Sequence, residues 1–160
     1  MPLRPKNNRR DKEPPDAQNS ALRLLVRREH SARELKRKLA ARGVDDAAAD
    51  AAIEKLAGRD LQSDVRYAEQ LIRTRIAQGH GPVRIESELT QAGLASEQIN
   101  AALAAAECDW NRLAAEVHAK KFGAAPKNMS ERNKQYRFLM GRGFDGEQIR
   151  RVLKGDLQEG

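Results

Sequence analysis

Residues that could perform catalysis are few in this sequence and lie far apart. The three histidines, His30, His80 and His118, fall in different regions, each near a predicted helix end or loop. A metal site would need them brought together with carboxylates. Cys108, the only cysteine, has no neighbouring histidine, and the glycine-rich segment 78–81 lacks the Lys-Ser/Thr pair of a phosphate-binding loop. We therefore predict no enzymatic activity, no metal and no cofactor.

Basic residues indicate binding instead, because their distribution along the chain is uneven. Residues 1–42 contain 13 Lys/Arg and 5 Asp/Glu, a net charge of +8, and residues 110–160 contain 11 and 6, a net charge of +5. Residues 43–109 contain 6 Lys/Arg and 12 Asp/Glu, a net charge of −6. Basic ends around an acidic middle are compatible with a long contact against a polyanion or a mixed-charge protein surface. The competing interpretation is that these charges only solvate exposed helix faces.

The candidate partner-binding residues are outward-facing cations of the two basic regions, inferred from charge and from their position in a repeat. They are Arg28, Arg33, Lys36, Arg37, Arg42, Lys120, Lys121, Lys127, Lys134, Arg137, Arg142, Arg150 and Arg151. Two of them recur at a spacing of 50 residues, as the pairs Arg37/Arg137 and Arg42/Arg142. The two ends of the chain are therefore expected to offer similar surfaces.

That spacing belongs to a repeat which positions these cations. A leucine, three residues, a glycine and a large apolar residue occur at 39–44, 89–94 and 139–144, so that Gly43, Gly93 and Gly143 are 50 residues apart. A left-handed glycine commonly ends a helix, and the apolar residue after it supplies the contact that accompanies such a stop. The equal spacing indicates three copies of one helical unit.

Each copy is predicted to contain three helices, and no segment shows the sustained alternation typical of a strand. The predicted organisation is a disordered basic tail over 1–19, repeats over 20–62, 63–109 and 110–156, and a frayed end over 157–160. Ser20 is the predicted N-cap of the first helix. Ser31 and Glu34 form a predicted capping box, in which the carboxylate reaches back to the cap. In the third copy Gln135 occupies the position of a core residue, and neighbouring aromatic residues are expected to take over the packing.

Composition sets the size and setting of these units. With 4% aromatic residues, the cores are expected to be thin and built from Ala, Leu and Ile, so that each unit needs its neighbours for stability. The fold class is therefore all-α: nine helices in three tandem three-helix repeats that form an elongated, curved body. The single cysteine fits a reducing cytoplasm, and no apolar run is long enough for a membrane span. We expect a cytoplasmic protein, without membrane association, that acts as a monomer.

Over residues 20–155 the ordered set of motifs resembles the RecX family of bacterial regulators of the RecA recombinase. In the first copy the resemblance rests on Ala21-Leu22, Arg28, Ser31-x-x-Glu34-Leu35-x-x-Lys38-Leu39 and Arg42-Gly43-Val44. In the second it rests on Asp64-x-Arg66-Tyr67-Ala68, Arg73, Gly79, Gly81, Ile85, Leu89 and Gly93-Leu94, and in the third on Phe138-Leu139-x-x-Arg142-Gly143-Phe144.

The resemblance implies a non-enzymatic modulator whose partner is the RecA–DNA filament, with the DNA within the filament as a further candidate partner. Such a protein would lie in the filament groove, contact more than one recombinase subunit, and limit filament growth, strand exchange, ATPase and co-protease activity in recombination and the SOS response. The alternative from the residues alone is a helical module that binds DNA directly through phosphate contacts. Stacking aromatics would favour single-stranded nucleic acid, but only Tyr136 and Trp110 are near the cations, and both are predicted to be core. A third alternative is a helical scaffold for another partner.

Overall fold

The computed structural model describes residues 16–154, and this part of the chain is helical, with no strand in it. The nine helices described there are α1 (Ala17–Arg27), α2 (Ala32–Ala41), α3 (Asp46–Gly58), α4 (Asp64–Ala77), α5 (Pro82–Gln91), α6 (Ser96–Ala105), α7 (Trp110–Phe122), α8 (Met129–Gly141) and α9 (Gly146–Lys154). Each helix packs mainly against the two others of its own triplet: α1–α3, α4–α6 and α7–α9 form the first, second and third units. The predicted all-α fold of three-helix repeats is confirmed.

The start of α1 differs from the sequence-based prediction. Asp16 is the N-cap, and its carboxylate accepts the backbone N–H groups of Gln18 and Asn19 at 3.1 and 3.3 Å. Ser20 therefore lies inside the helix rather than capping it, so the predicted cap is wrong. Residues 1–15 of the predicted tail lie outside the described part of the chain, and so does the whole of the predicted frayed end, 157–160.

The repeated glycines end the second helix of each unit, as predicted. Gly43, Gly93 and Gly143 have φ of +86°, +93° and +95°. In the first unit the backbone N–H of Val44 donates to the Leu39 carbonyl at 3.0 Å, and the equivalent bonds in the other two units are 3.1 and 3.2 Å. These bonds satisfy carbonyls that the helix end would otherwise leave without a partner.

Three small cores, one for each unit, hold the fold together. Leu39, Leu89 and Leu139 are fully buried in them at equivalent positions. Burying such a side chain contributes about 2 kcal/mol, and with so few aromatic residues each core depends on many contributions of this size.

The third core differs because it contains a polar pair. Gln135 stands where Leu35 and Ile85 stand in the other units, and it is only 5% exposed. The His118 Nε2–H donates to Gln135 Oε1 at 2.6 Å, which satisfies both buried groups. Tyr136 and Phe138 pack at the edge of this core. Both aromatic residues therefore pack as expected, but Gln135 stays inside the core beside them.

Side chains join the first unit to the second. The Ala32 backbone N–H, at the start of α2, donates to Asp64 Oδ1 at 2.9 Å. Gln62 is buried and donates to the His30 carbonyl at 3.3 Å. Arg66 forms an ion pair with Glu29 at 2.9 Å. The junction therefore depends on specific polar groups from both units.

Backbone groups join the second unit to the third. The N–H groups of Gly81 and Val83, at the start of α5, donate to the carbonyls of Arg142 and Gly143 at 2.8 and 2.9 Å. Because α5 has no side-chain cap, the end of α8 supplies the acceptors, and the positive end of one helix dipole meets the negative end of another. A Cβ on Gly81 would lie 2.4 Å from the Gly143 oxygen, so this junction requires glycine.

Among residues 16–154, no helix is both long and apolar enough to cross a membrane.

Candidate partner-binding surface

The first unit uses several of its candidate cations internally. The Arg28 guanidinium binds both carboxylate oxygens of Glu34, and Lys36 pairs with Asp50 at 3.1 Å. Arg33 packs beside Gly93 of the second unit, where an added Cβ would lie 2.9 Å from the Arg33 Cβ. These three residues therefore take part in contacts within the protein.

Arg37 and Arg42 are the other two candidates of the first unit. Both are exposed and form no ion pair with any residue in the described range 16–154. Arg33 is exposed as well and forms no ion pair there, so three of the five candidates in this unit keep a charge that is available to a partner.

A buried network explains why Arg28 is held in place. Glu34 is only 9% exposed, and it contacts Lys38 at 3.5 Å as well as Arg28. Burial alone would raise the pKa of Glu34, but the Arg28 hydrogen bond, followed by the charges of Arg28 and Lys38, lowers it overall. The carboxylate therefore stays ionised inside the unit. The predicted capping box is half present: the Glu34 backbone N–H donates to the Ser31 hydroxyl, but the Glu34 carboxylate binds Arg28 and does not reach back to the helix cap.

His30 completes this network as a neutral imidazole. Its Nδ1–H donates to the Arg28 carbonyl at 2.9 Å, and its Nε2 accepts from Lys38 Nζ at 3.0 Å. Burial, followed by the charges of Arg28 and Lys38, lowers the pKa of His30, although the Arg28 carbonyl and Glu34 act in the opposite direction. A cation here would lack a free acceptor, so the first unit is built around neutral His30 and ionised Glu34.

The third unit leaves most of its candidate cations without a carboxylate. Arg151 pairs with Glu147 at 2.9 Å. The other seven form no ion pair with residues 16–154, and these are Lys120, Lys121, Lys127, Lys134, Arg137, Arg142 and Arg150. Six of the seven are exposed, and Arg142 is partly buried. Among the candidate cations, those without an ion-pair partner are therefore more numerous in the third unit than in the first.

Two of these cations meet at one aromatic ring. Lys121 Nζ lies 5.5 Å from the Phe138 ring centroid, and Arg142 Cζ lies 5.2 Å from it. Both distances are within cation–π range. Phe122 packs edge-on against the same ring, with centroids 5.3 Å apart and an interplanar angle of 87°. The sequence predicted Lys121 and Arg142 as binding residues but gave no reason to place them at one site.

The cation–ring cluster forms one wall of a groove between the second and third units, which we term the second groove. It has a volume of about 480 Å³. Its apolar lining includes Ile76, Leu113, Val117 and Phe138, and its cations are Lys120, Lys121 and Arg142. Arg142 crosses between the units, because its Nη1 donates to the Gln78 carbonyl at 3.3 Å. Glu116 is the carboxylate in the lining, and Arg112 pairs with it at 3.2 Å.

His80 lies in the positive potential near this junction. Burial lowers the pKa of His80 first, and the charges of Arg84, Arg142 and Arg75 lower it further. Its buried Nδ1 has no hydrogen-bond partner among the described residues. The surrounding arginines thus disfavour protonation of His80, and the same positive potential would favour a bound anion.

The equivalent surface between the first and second units, the first groove, differs because carboxylates in its lining hold Arg28 and Arg75. It consists of two hollows of about 200 and 490 Å³, and Glu34 lines both. Glu88 lines the smaller hollow and holds Arg75, with Nε and Oε2 2.7 Å apart. Ala92 stands at the position that Arg142 has in the second groove. Here Glu88 neutralises Arg75, whereas Arg33 and Arg37 line the smaller hollow without an ion-pair partner among the described residues.

Several positions of the two grooves correspond in the repeat. Arg75 and Lys121 each come seven residues after a buried alanine, Ala68 or Ala114. Phe138 stands 50 residues after Glu88, so the ring occupies the place of the carboxylate. Phe138 was not among the predicted site residues; the aromatic residues considered there, Tyr136 and Trp110, pack against cores as predicted. The replacement of Glu88 by Phe138 at the repeat spacing was the signal that could have found it.

Within residues 16–154, no group of three or more His, Cys, Asp or Glu residues is placed to hold a metal ion. Cys108 is partly buried, and burial, followed by the charges of Asp109 and Glu116, raises the pKa of its thiol. A thiol of that kind is a poor nucleophile at neutral pH.

The fold and the second groove define a class of protein: a tandem array of three-helix units whose last unit presents unneutralised cations. Family models match the units in order: the first three-helix domain of RecX matches residues 17–56, the second 63–103 and the third 107–153. The chain belongs to the RecX family.

Relatives of known name agree with this assignment. The chain is 46% identical over 156 residues to the regulatory protein RecX of Xanthomonas campestris pv. campestris (strain B100), covering 97% of this chain and 96% of the relative. It is 47% identical over 137 residues to the regulatory protein RecX of Stenotrophomonas maltophilia (strain R551-3), covering 85% and 84%. The crystal structure of RecX from Lactobacillus salivarius matches with a TM-score of 0.73 and 24% identity over 88% of this chain and 95% of that one, which supports the fold.

Proposed function

We propose that this protein modulates the RecA recombinase, mainly as an inhibitor, by binding in the groove of the RecA–DNA filament. In that position it limits filament growth, strand exchange, ATPase and co-protease activity in recombination and the SOS response. It acts as a cytoplasmic monomer. Membership of the RecX family over nearly the whole chain supports a regulatory role.

The observation that carries the proposal is the uneven neutralisation of cations along the described chain. Seven of the eight candidate cations of the third unit lack an ion-pair partner there, against three of five in the first unit, Arg33, Arg37 and Arg42. Three units joined in series make an elongated, curved body that can follow a filament groove and contact more than one subunit. The third unit then supplies the strongest electrostatic contact.

The test measures sedimentation with preformed RecA–DNA filaments and inhibition of their ATPase at micromolar protein. The unmodified protein binds the filaments and lowers ATP turnover. Charge reversal at Arg37, Arg42, Arg137 and Arg142 together reduces both effects about tenfold or more while leaving helicity unchanged. If a folded sample of the unmodified protein has no effect on filaments, the proposal is wrong.

Direct DNA binding is the competing outcome of the same experiment. A protein that acts through phosphate contacts binds bare DNA tightly at low salt and loses affinity steeply as salt rises. We expect weak binding to bare DNA near physiological salt and persistent binding to filaments. Equal affinity for both would favour the DNA-binding module.

A further inference from the structure

The second unit shows which chemical group satisfies the cation at this position of the repeat. Arg75, near the end of α4, is held by the Glu88 carboxylate at 2.7 Å. Glu88 also contacts Arg84 at 3.7 Å, one helical turn earlier. In the first unit the carboxylate of Glu34 forms ion pairs with Arg28 and Lys38. In both units a carboxylate from the second helix neutralises the cation of the first helix.

The third unit keeps the cations and lacks the carboxylate. Lys121 takes the position of Arg75, Phe138 takes that of Glu88, and Lys134 takes that of Arg84. Arg142 adds a further cation at a position where the second unit has alanine. A cation–π contact at an exposed site contributes about 0.5–1 kcal/mol and leaves the cation able to accept an anion. The second groove therefore lacks a carboxylate at the position of Glu88, and its one lining carboxylate, Glu116, pairs with Arg112 instead of Lys121 or Arg142.

The lining of the second groove adds an apolar requirement. Ile76, Leu113 and Val117 come from two different units and leave room between them, since the groove has a volume of about 480 Å³. A cleft of that size takes a large side chain, and its apolar wall favours an apolar one. The cations at the edge of the cleft would then contact the group that is next to this side chain in the bound segment.

We infer that the second groove binds an acidic protein segment in which an apolar side chain enters the cleft and an adjacent carboxylate contacts Lys121 and Arg142. The inference rests on the proposed function, because it assigns this segment to the protein of the filament rather than to its DNA. A phosphate backbone has no group for the apolar lining, and two cations already lie over the Phe138 ring, where a base would stack.

The experiment uses the full chain and a fluorescein-labelled peptide of Asp and Glu residues around one leucine. A second peptide has Asn and Gln in place of the acids, and a labelled oligothymidylate represents single-stranded DNA. Fluorescence anisotropy gives the affinity for each probe near physiological salt. We expect the acidic peptide to bind, and the amide peptide and the oligothymidylate to bind about tenfold more weakly or worse.

Two variants locate the binding in the second groove. Phe138→Glu places a carboxylate where Glu88 stands in the second unit, so it satisfies Lys121 internally and lowers peptide affinity about tenfold or more. Lys121→Gln lowers affinity without touching the core, which keeps the test valid if the first variant folds poorly. Met140→Glu adds the same charge to the same helix at an exposed position that does not line the groove, and we expect it to keep affinity within about twofold.

Each other result overturns the inference. It is wrong if the acidic peptide does not bind, if the amide peptide binds as tightly, or if Phe138→Glu and Lys121→Gln retain full affinity. Stronger binding of the oligothymidylate, lost in the same two variants, would assign the groove to DNA. The two proposals fail in distinguishable ways. If only this inference is wrong, the unmodified protein still inhibits filaments but the acidic peptide does not bind the groove. If the proposed function is wrong, the unmodified protein does not inhibit filaments, whether or not the peptide binds.

Discussion

The two grooves between the units share several equivalent positions and differ in whether a carboxylate holds the cation that follows the first helix core. In the first groove, Glu88 and Glu34 hold Arg75 and Arg28. In the second, Lys121 and Arg142 lie over Phe138 with no ion-pair partner among the described residues. The first arrangement stabilises the protein, and the second leaves charge for a partner. The number of cations in a region therefore does not identify a binding surface, because carboxylates from the next helix decide which cations remain available.

The largest expected effect is on the free energy of unfolding, and it tests how the junction between the second and third units differs from that between the first and second. Gly81 and Ser31 stand at equivalent positions, but only Gly81 lies against backbone of the next unit, where a Cβ would approach Gly143 atoms to 2.4 Å. We expect Gly81→Ser to lower the free energy of unfolding by about 3 kcal/mol or more, because neither backbone can yield without breaking hydrogen bonds. Urea denaturation followed by circular dichroism measures this change.

The matched control for that substitution is Gly58→Ala. A Cβ there meets nothing within 4 Å, so the expected change is within about 0.5 kcal/mol. Equal stability of Gly81→Ser and the unmodified protein would mean that the second and third units do not meet as described.

The next prediction compares the loss of unfolding free energy when the buried carboxylate of the first unit is removed with the loss when an unpaired cation of the third unit is removed. Glu34→Gln removes the partner of Arg28 and Lys38, and we expect a loss of about 2 kcal/mol, less than for a fully buried pair because Arg28 is 45% exposed. Lys121→Gln removes a cation that holds little in place, so its cost is about 0.5 kcal/mol. Comparable losses in the two variants, measured by the same urea denaturation, would contradict the contrast between the units.

These two comparisons show what the sequence could predict. The 50-residue spacing of Gly43, Gly93 and Gly143 predicted the helix stops, because a helix end is a local event with a local residue preference. The Arg28–Glu34 pair crosses a break between two helices, and the Gly81–Arg142 bond joins residues far apart in the chain. Both depend on how helices and units are oriented, which no local pattern encodes. Phe138 was missed for the same reason, since its role depends on cations from two helices.

A smaller effect follows from pH. The pKa of His30 lies below its usual value of 6.5, and that of Glu34 lies below its usual value of 4.5. A group with a lowered folded-state pKa contributes stability that is present above its usual pKa and is lost as pH falls through the folded-state pKa. The first unit should therefore lose stability as pH falls below 6.5, and lose more below 4.5.

Urea denaturation of the unmodified protein and of His30→Gln, above and below pH 6.5, measures the first of these losses. The introduced amide can keep a neutral hydrogen bond but cannot be protonated, so the variant should show a smaller loss between the two conditions. An identical pH dependence in both proteins would mean that His30 does not cause the loss.

The most direct test of the central claim is a comparison of two double charge reversals in the filament ATPase assay. Lys120→Glu with Lys121→Glu changes the second groove, and Arg37→Glu with Arg42→Glu makes the same change of net charge on the first unit. We predict that the first pair weakens inhibition about tenfold or more and the second pair only about threefold. Equal losses, or a larger loss from the first unit, would contradict the claim that the third unit carries the main contact.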